Sequence, residues 1–214
     1  MSSITVRKDL RDRFGPPRDQ GKRPTCLAFA MSDAHAAARE SWEDLSCEYL
    51  FYHAKKRDQT APTTGAKTSS ICLAVEHDGQ PVETGWKYLD ALPTDLALWR
   101  PPSEIGPLFR RGSAFLSGGF DGAWGSVESG TPVLIVMMIS DAFYMPDDAG
   151  VINSSESPDQ ARRHAVVAAA TGEHAGVKCL LGRNSWGETW GLQGHAWLTE
   201  PYLKPRILLM VTMN

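Results

Sequence analysis

Apolar and polar positions change rhythm along this chain. From Cys26 to Glu40 the sequence is rich in alanine and free of Gly and Pro. Ala has the highest helix propensity, and Leu27, Ala30, Ala34, Ala37 and Ala38 fall on one helical face. This predicts a helix packed closely on all sides, with Cys26 in its first turn and Thr25 as N-cap. Leu45 to Arg57 predicts a second helix, with Ser46 as N-cap and Lys55, Lys56 and Arg57 at the negative end of its dipole. The Thr/Pro/Gly stretch 60–65 predicts a loop. Ser69 to Glu76 predicts a third helix, ended by Asp78-Gly79. Residues 1–25 are polar and carry Pro16, Pro17 and Pro24, which predicts an extended lead-in.

The second half reads differently. Pro132 to Ile139 is a continuous apolar run, as in a strand buried on both faces. His164–Gly172, Gly176–Asn184, His195–Thr199 and Arg206–Thr212 predict further strands. Residues 93–132 hold many Gly and Pro and predict loops, with a helix around 120–129. The segment 145–163, rich in Asp, Ser and Pro, predicts a loop between two strands. Helices followed by strands indicate an α+β fold, or two lobes. The 214 residues read as one body, mainly helical over about 1–110 and mainly β over about 111–214.

Composition narrows the function. Twenty-two Lys+Arg against 25 Asp+Glu give a net charge of −3, so no basic excess draws the chain to nucleic acid. The longest strongly apolar run, Val133–Ile139, is far short of the roughly 20 residues of a membrane span. The N-terminus has no apolar core of a secretory signal. The four cysteines, at 26, 47, 72 and 179, form no C-x-x-C pair. Neither a zinc site nor a disulfide framework is expected, nor any metal or cofactor. Reduced thiols and a cytoplasmic location are the expectation.

Chemistry concentrates at three places. Cys26 opens a helix, where free backbone N–H groups and the dipole favour a thiolate. The run Arg18-Asp19-Gln20-Gly21-Lys22-Arg23-Pro24-Thr25-Cys26-Leu27-Ala28-Phe29-Ala30 resembles the nucleophile segment of papain-like cysteine peptidases, including the six-residue step from Gln to Cys. Arg183-Asn184-Ser185-Trp186-Gly187-Glu188-Thr189-Trp190-Gly191-Leu192-Gln193-Gly194 resembles that family's Asn-Ser-Trp-Gly-x-x-Trp-Gly-x-x-Gly signature. Arg163-His164-Ala165-Val166-Val167 is similar to its His-Ala-Val strand, and Phe143-Tyr144 with Gly150-Val151-Ile152 to the stretch before it. The resemblance runs from about Val6 to about Leu198. His35, His53, His77, His174 and His195 have no such support and read as structural or surface residues. Cys47, Cys72 and Cys179 read as buried, inert thiols.

The resemblance implies a two-lobed fold: a helical N-terminal lobe, an antiparallel β-barrel-like C-terminal lobe and a cleft between. It implies a cysteine endopeptidase acting on protein or peptide substrates. Cys26 would be the nucleophile, paired as thiolate with the His164 imidazolium. Asn184 would orient the ring, and Trp186 would shield that bond from water. Gln20 and the Cys26 N–H would form the oxyanion hole. Gly65 falls near where the family pairs substrate backbone. The expected protein is a selective, intracellular processing protease of bacterial type.

Several positions depart from the family pattern. Arg23-Pro24 replaces a Cys-Gly, which removes a disulfide. Leu27 replaces a frequent Trp. Arg163 stands where Asp or Gly is common, and an inward cation would lower the His164 pKa. The resemblance starts close to Met1, so no propeptide is expected. Control is then expected from narrow specificity, from a regulatory protein partner, or from membership of something longer. Asp147, Asp148, Glu156 and Asp159 suggest an acidic rim and basic substrates. Two alternatives stay open: a catalytically weak peptide-binding or scaffold module of the same fold, and an acyl transferase that passes the acyl group to an amine.

Overall fold

The alanine-rich stretch does form a helix, α1 (Cys26–Ala37), and every residue from Leu27 to Ala37 is buried. Small side chains let the helix sit within contact of its neighbours on all sides. The computed structural model describes residues 3–214; Met1 and Ser2, the start of the expected lead-in, lie outside the described residues. Thr25 does not cap α1. Its hydroxyl instead lies 2.8 Å from the Tyr88 hydroxyl, which donates to the Gln20 carbonyl at 2.8 Å. The second helix, α2 (Cys47–Asp58), is capped as expected, with Ser46 Oγ accepting from the Tyr49 N–H. The third, α3 (Thr68–Leu73), runs on into a π-turn over Ala74–Asp78. Gly79 ends it at φ +77, where a side-chain Cβ would also collide with the Phe109 carbonyl.

The remaining elements are β1 (Ile4–Asp9), β2 (Ser113–Leu116), α4 (Gly119–Glu128), β3 (Val133–Met138), β4 (Val151–Ile152), β5 (Arg163–His174), β6 (Val177–Arg183), β7 (His195–Thr199), α5 (Glu200–Leu203) and β8 (Ile207–Met213). They build one sheet in the order β2-β8-β3-β5-β6-β7-β4, with β1 also on β5. All pairs are antiparallel except β4 with β7. The path is open: the outer strands β2 and β4 do not pair with each other, so the sheet is not a closed barrel.

Both faces of the central strands are covered, which is why they read as unbroken apolar runs. Val133, Ile135 and Met137 of β3 pack with Phe120, Ala123 and Val127 of α4. The alternate residue Leu134 packs with Ala165 and Val167 of β5 against the helices, including Met31, Leu50 and Ile71. The helical half and the strand half thus share one sheet as their common wall.

β5 is the element that makes the site. Its pairing with β6 begins only at Val167, opposite Arg183, whereas its pairing with β3 begins at Arg163. Residues 163–166 therefore overhang the end of β6. One edge of that overhang is paired and the other is open toward the start of α1.

Candidate active site

Cys26 is half-buried at the first position of α1. The backbone N–H groups of Leu27 and of Cys26 itself point at its sulfur, and so does the Ala165 N–H from the open edge of β5. The first N–H groups of a helix have no partner within the helix, so the Cys26 and Leu27 donors are free for the sulfur or for a ligand. His164, one residue earlier on β5, lines the same cavity of about 490 Å³ as Cys26 and Gly65.

The orientation of His164 follows from hydrogen-bond counting. Asn184 Oδ1 accepts the Ser185 backbone N–H at 2.8 Å, which fixes the amide oxygen on that side. The same oxygen lies 2.6 Å from His164 Nε2. Nε2 must therefore carry a proton, and in the neutral ring Nδ1 is left as the acceptor. Asn184 Nδ2 is buried without a hydrogen-bond partner among the described residues. Trp186 covers the imidazole, with ring centroids 4.7 Å apart, and Phe143 packs on both rings. Trp186 is not among the residues that line the cavity; its ring lies over His164.

Burial sets the titration of both groups. It pushes the Cys26 thiol up, against the pull of the Ala165, Leu27 and Cys26 N–H groups. It pushes His164 down to about 4, against the raising effect of Asn184. The low value was expected from Arg163; its cause is desolvation instead. Burial also raises Cys47, Cys72 and Cys179. What sets Cys26 apart is its place: it alone of the four lines the cavity with His164.

Gln20 is buried and is not among the residues that line the cavity. Its Oε1 accepts the Ser185 hydroxyl at 2.7 Å and its Nε2 donates to the Arg23 carbonyl at 2.8 Å. One Nε2 proton is so engaged and one remains. Gly65 turns its carbonyl to Lys55 Nζ at 3.0 Å; the same ammonium holds the Thr60 and Thr64 hydroxyls. Lys55 is thus the anchor of the 60–65 loop, a larger role than the dipole complement expected of it.

Several functional supports escaped the sequence reading. Asp33, buried on α1, binds Arg183 Nε at 2.7 Å and Arg18 Nη2 at 2.5 Å. Burial alone would raise its carboxyl, but Arg18 and Arg183 hold it below the ordinary carboxylate range. Arg183 immediately precedes Asn184, and Arg18 lies two residues before Gln20. This triad fixes the helix of Cys26 to both partner segments. The Gln20 N–H also donates to the Ser185 carbonyl, and the Gly187 N–H to the Arg18 carbonyl. Gly194 allows the signature loop to close on the lead-in, since a Cβ there would overlap Pro17 at 2.4 Å. Arg23, standing where the family resemblance places a Cys, makes a tie of another kind. Its guanidinium grips Glu48 at 2.6 and 2.9 Å, and Glu48 also accepts from Trp99 Nε1 and the Leu89 N–H. The signal for these supports was present only as charged residues flanking the motifs.

Three of the four carboxylates of the expected acidic rim, all but Asp148, are engaged within their own loop. Asp147 accepts the Ala149 and Val151 N–H groups, Glu156 accepts the Ala142 N–H, and Asp159 holds Arg162. No carboxylate lines the cavity.

Cys26 at the start of α1 and His164 on β5 line one cavity, the arrangement that the resemblance to papain-like peptidases implies. The model of the papain family cysteine proteases matches residues 123–203, a span that holds His164, Asn184 and Trp186. The fold is similar along the whole chain to xylellain, a cysteine protease from Xylella fastidiosa. Identity is 17% and the TM-score 0.77, over 99% of this chain and 87% of that one. Digestive procathepsin L 3 of the Tenebrio molitor larval midgut has 18% identity and a TM-score of 0.81, over 96% of this chain and 68% of that one. The Carica candamarcensis cysteine protease CMS1MS2, in complex with E-64, has 20% identity and a TM-score of 0.76, over 96% of each chain. No curated protein matches the sequence. Family model and fold together support a hydrolase of the cysteine-protease type. Among the described residues, no helix is long and apolar enough to cross a membrane.

Proposed function

We propose that the chain is a cysteine endopeptidase in which Cys26, His164, Asn184 and Gln20 carry the reaction. The observation that carries this reading is the doubly held Asn184 oxygen, which commits His164 Nε2 to donate and leaves Nδ1 for the thiol. Burial disfavours a lone thiolate and a lone imidazolium alike. Passing the proton from Sγ to Nδ1 creates both charges together, so each is formed beside its counterion. The sulfur attacks the substrate carbonyl carbon, and the oxyanion is received by the Cys26 N–H and the remaining Gln20 Nε2 proton. His164 then protonates the leaving amine. Water, deprotonated by His164, hydrolyses the thioester and frees the thiol. Trp186 and Phe143 keep water from the His164–Asn184 bond.

Selective processing in a reducing, intracellular setting of bacterial type is the finer reading. The four free cysteines support it, as does the Arg23–Glu48 tie, which needs no oxidant to form. The expected outcome is that Cys26→Ala abolishes cleavage of a mixed peptide library while Cys47→Ala retains it, with dithiothreitol present throughout. Full activity in both variants would overturn the assignment. The second reading, a peptide-binding module, is favoured by the same burial that holds thiol and imidazole neutral. It would be seen as peptides retained but not cut. Products carrying an added amine would show acyl transfer instead.

A further inference from the structure

We propose that Lys67 and Arg163 make the cavity beside Cys26 select a substrate residue with an acidic side chain, glutamate above all. This deepens the peptidase reading and rests on it. The body of the cavity is apolar, walled by Leu27, Ala66, Val136, Leu208 and Leu209. Two cations stand in that lining on different elements: Lys67 directly before α3, and Arg163 as the first residue of β5. Both residues are exposed. No carboxylate lines the cavity with them.

Neither cation has a side-chain hydrogen bond or ion pair among the described residues, whereas their neighbours are committed. Arg162 is held by Asp159 and Asp141 at 2.6 Å each. Lys55 is held by Thr60, Thr64 and Gly65. The nearby carboxylate of Asp58 is buried and accepts the backbone N–H of Lys67, not its ammonium. Two uncommitted positive charges in a lining with no anion favour a ligand that brings the negative charge. The apolar walls accept a side chain with methylenes before its charge, which suits glutamate better than aspartate. A basic side chain would meet two like charges there.

Ion pairs at exposed positions are individually weak, each a factor of about two to five. Together they lead us to expect a glutamate-over-lysine preference of about tenfold. The test uses tripeptidyl acyloxymethyl ketones in which each of the three residues in turn is Glu, Leu or Lys. The readout is the rate at which Cys26 is alkylated, followed by intact mass and peptide mapping. At one position the Glu probe should react about tenfold faster than the Lys probe. That ratio should shrink in 0.5 M salt and invert in the Lys67→Glu/Arg163→Glu double variant. Each ratio is taken within one protein, so a general change in Cys26 reactivity cancels. Alkylation of Cys26 at rates indifferent to charge, or fastest with Lys, would overturn the selectivity while leaving the peptidase reading intact. No alkylation of Cys26 by any probe would overturn both.

Discussion

One oxygen atom decides how His164 works. Asn184 Oδ1 accepts from the Ser185 backbone and from His164 Nε2, so the ring cannot turn over without losing a buried bond. The ring's low pKa, about 4, comes from its closed surroundings, and Trp186 is one of the rings packed on it. Admitting water should relieve the desolvation of the imidazolium, and the pKa should then rise toward the ordinary histidine value. In Cys26→Ala protein, where no thiol can exchange the proton, NMR titration should find His164 well below 6.5. In Cys26→Ala/Trp186→Ala it should move upward. An unchanged value would mean that another group sets it. Cys26, His164, Asn184 and Gln20 could be singled out as candidates because each sits inside a motif of fixed spacing; Cys26 and His164 share one cavity, Asn184 bonds His164, and Gln20 accepts from the Ser185 hydroxyl. The role of Ser185 was not, because it acts through its backbone and hydroxyl on two residues already claimed by the motif.

At the scale of elements, the legible parts are those buried on both sides. The run Val133–Met138 and the alanine-rich α1 have patterns that only burial explains. β1 and β2 were missed because most of their residues are exposed or half-exposed, so no apolar alternation marks them. Thr25 was misread for a different reason: Tyr88, 63 residues away, takes its hydroxyl. Long-range pairing also hid the buried Arg18–Asp33–Arg183 triad, whose members are 15 and 150 residues apart. Removing the central charge would leave the buried Arg183 guanidinium without a carboxylate and half-buried Arg18 with only Glu83, 3.9 Å away. Asp33→Asn should therefore cost about 3–5 kcal/mol of stability in urea unfolding. Activity should fall by more than the lost folded fraction, since α1 and the Asn184 segment lose their common tie. A loss below about 1 kcal/mol would show the triad to be dispensable.

Over the whole molecule, two buried histidines link stability to pH. His35, bonded to Gln80, and His164 both have folded values of about 4 against an ordinary 6.5. The unfolded chain therefore binds more protons between those values. Their contribution is complete above about pH 6.5 and is lost as pH falls toward 4, by about 3 kcal/mol for each group. Urea midpoints should drop between pH 7 and pH 4.5, and His35→Gln should flatten that drop. A midpoint independent of pH would contradict the burial of these imidazoles as ionisable groups. The two-sided architecture was legible in the switch from helical to strand patterns. The overhang of β5 past β6, which opens the edge facing Cys26, was not, because register is set by pairing and not by either strand alone. On the peptidase reading proposed above, this overhang is what brings Cys26 and His164 together as one reactive pair. The most direct test is intact mass and peptide mapping after brief exposure to a peptidyl epoxide at pH 6. A single adduct on Cys26, absent from unfolded protein and from His164→Ala, is the predicted result. No adduct, or equal labelling of all four cysteines, would contradict it.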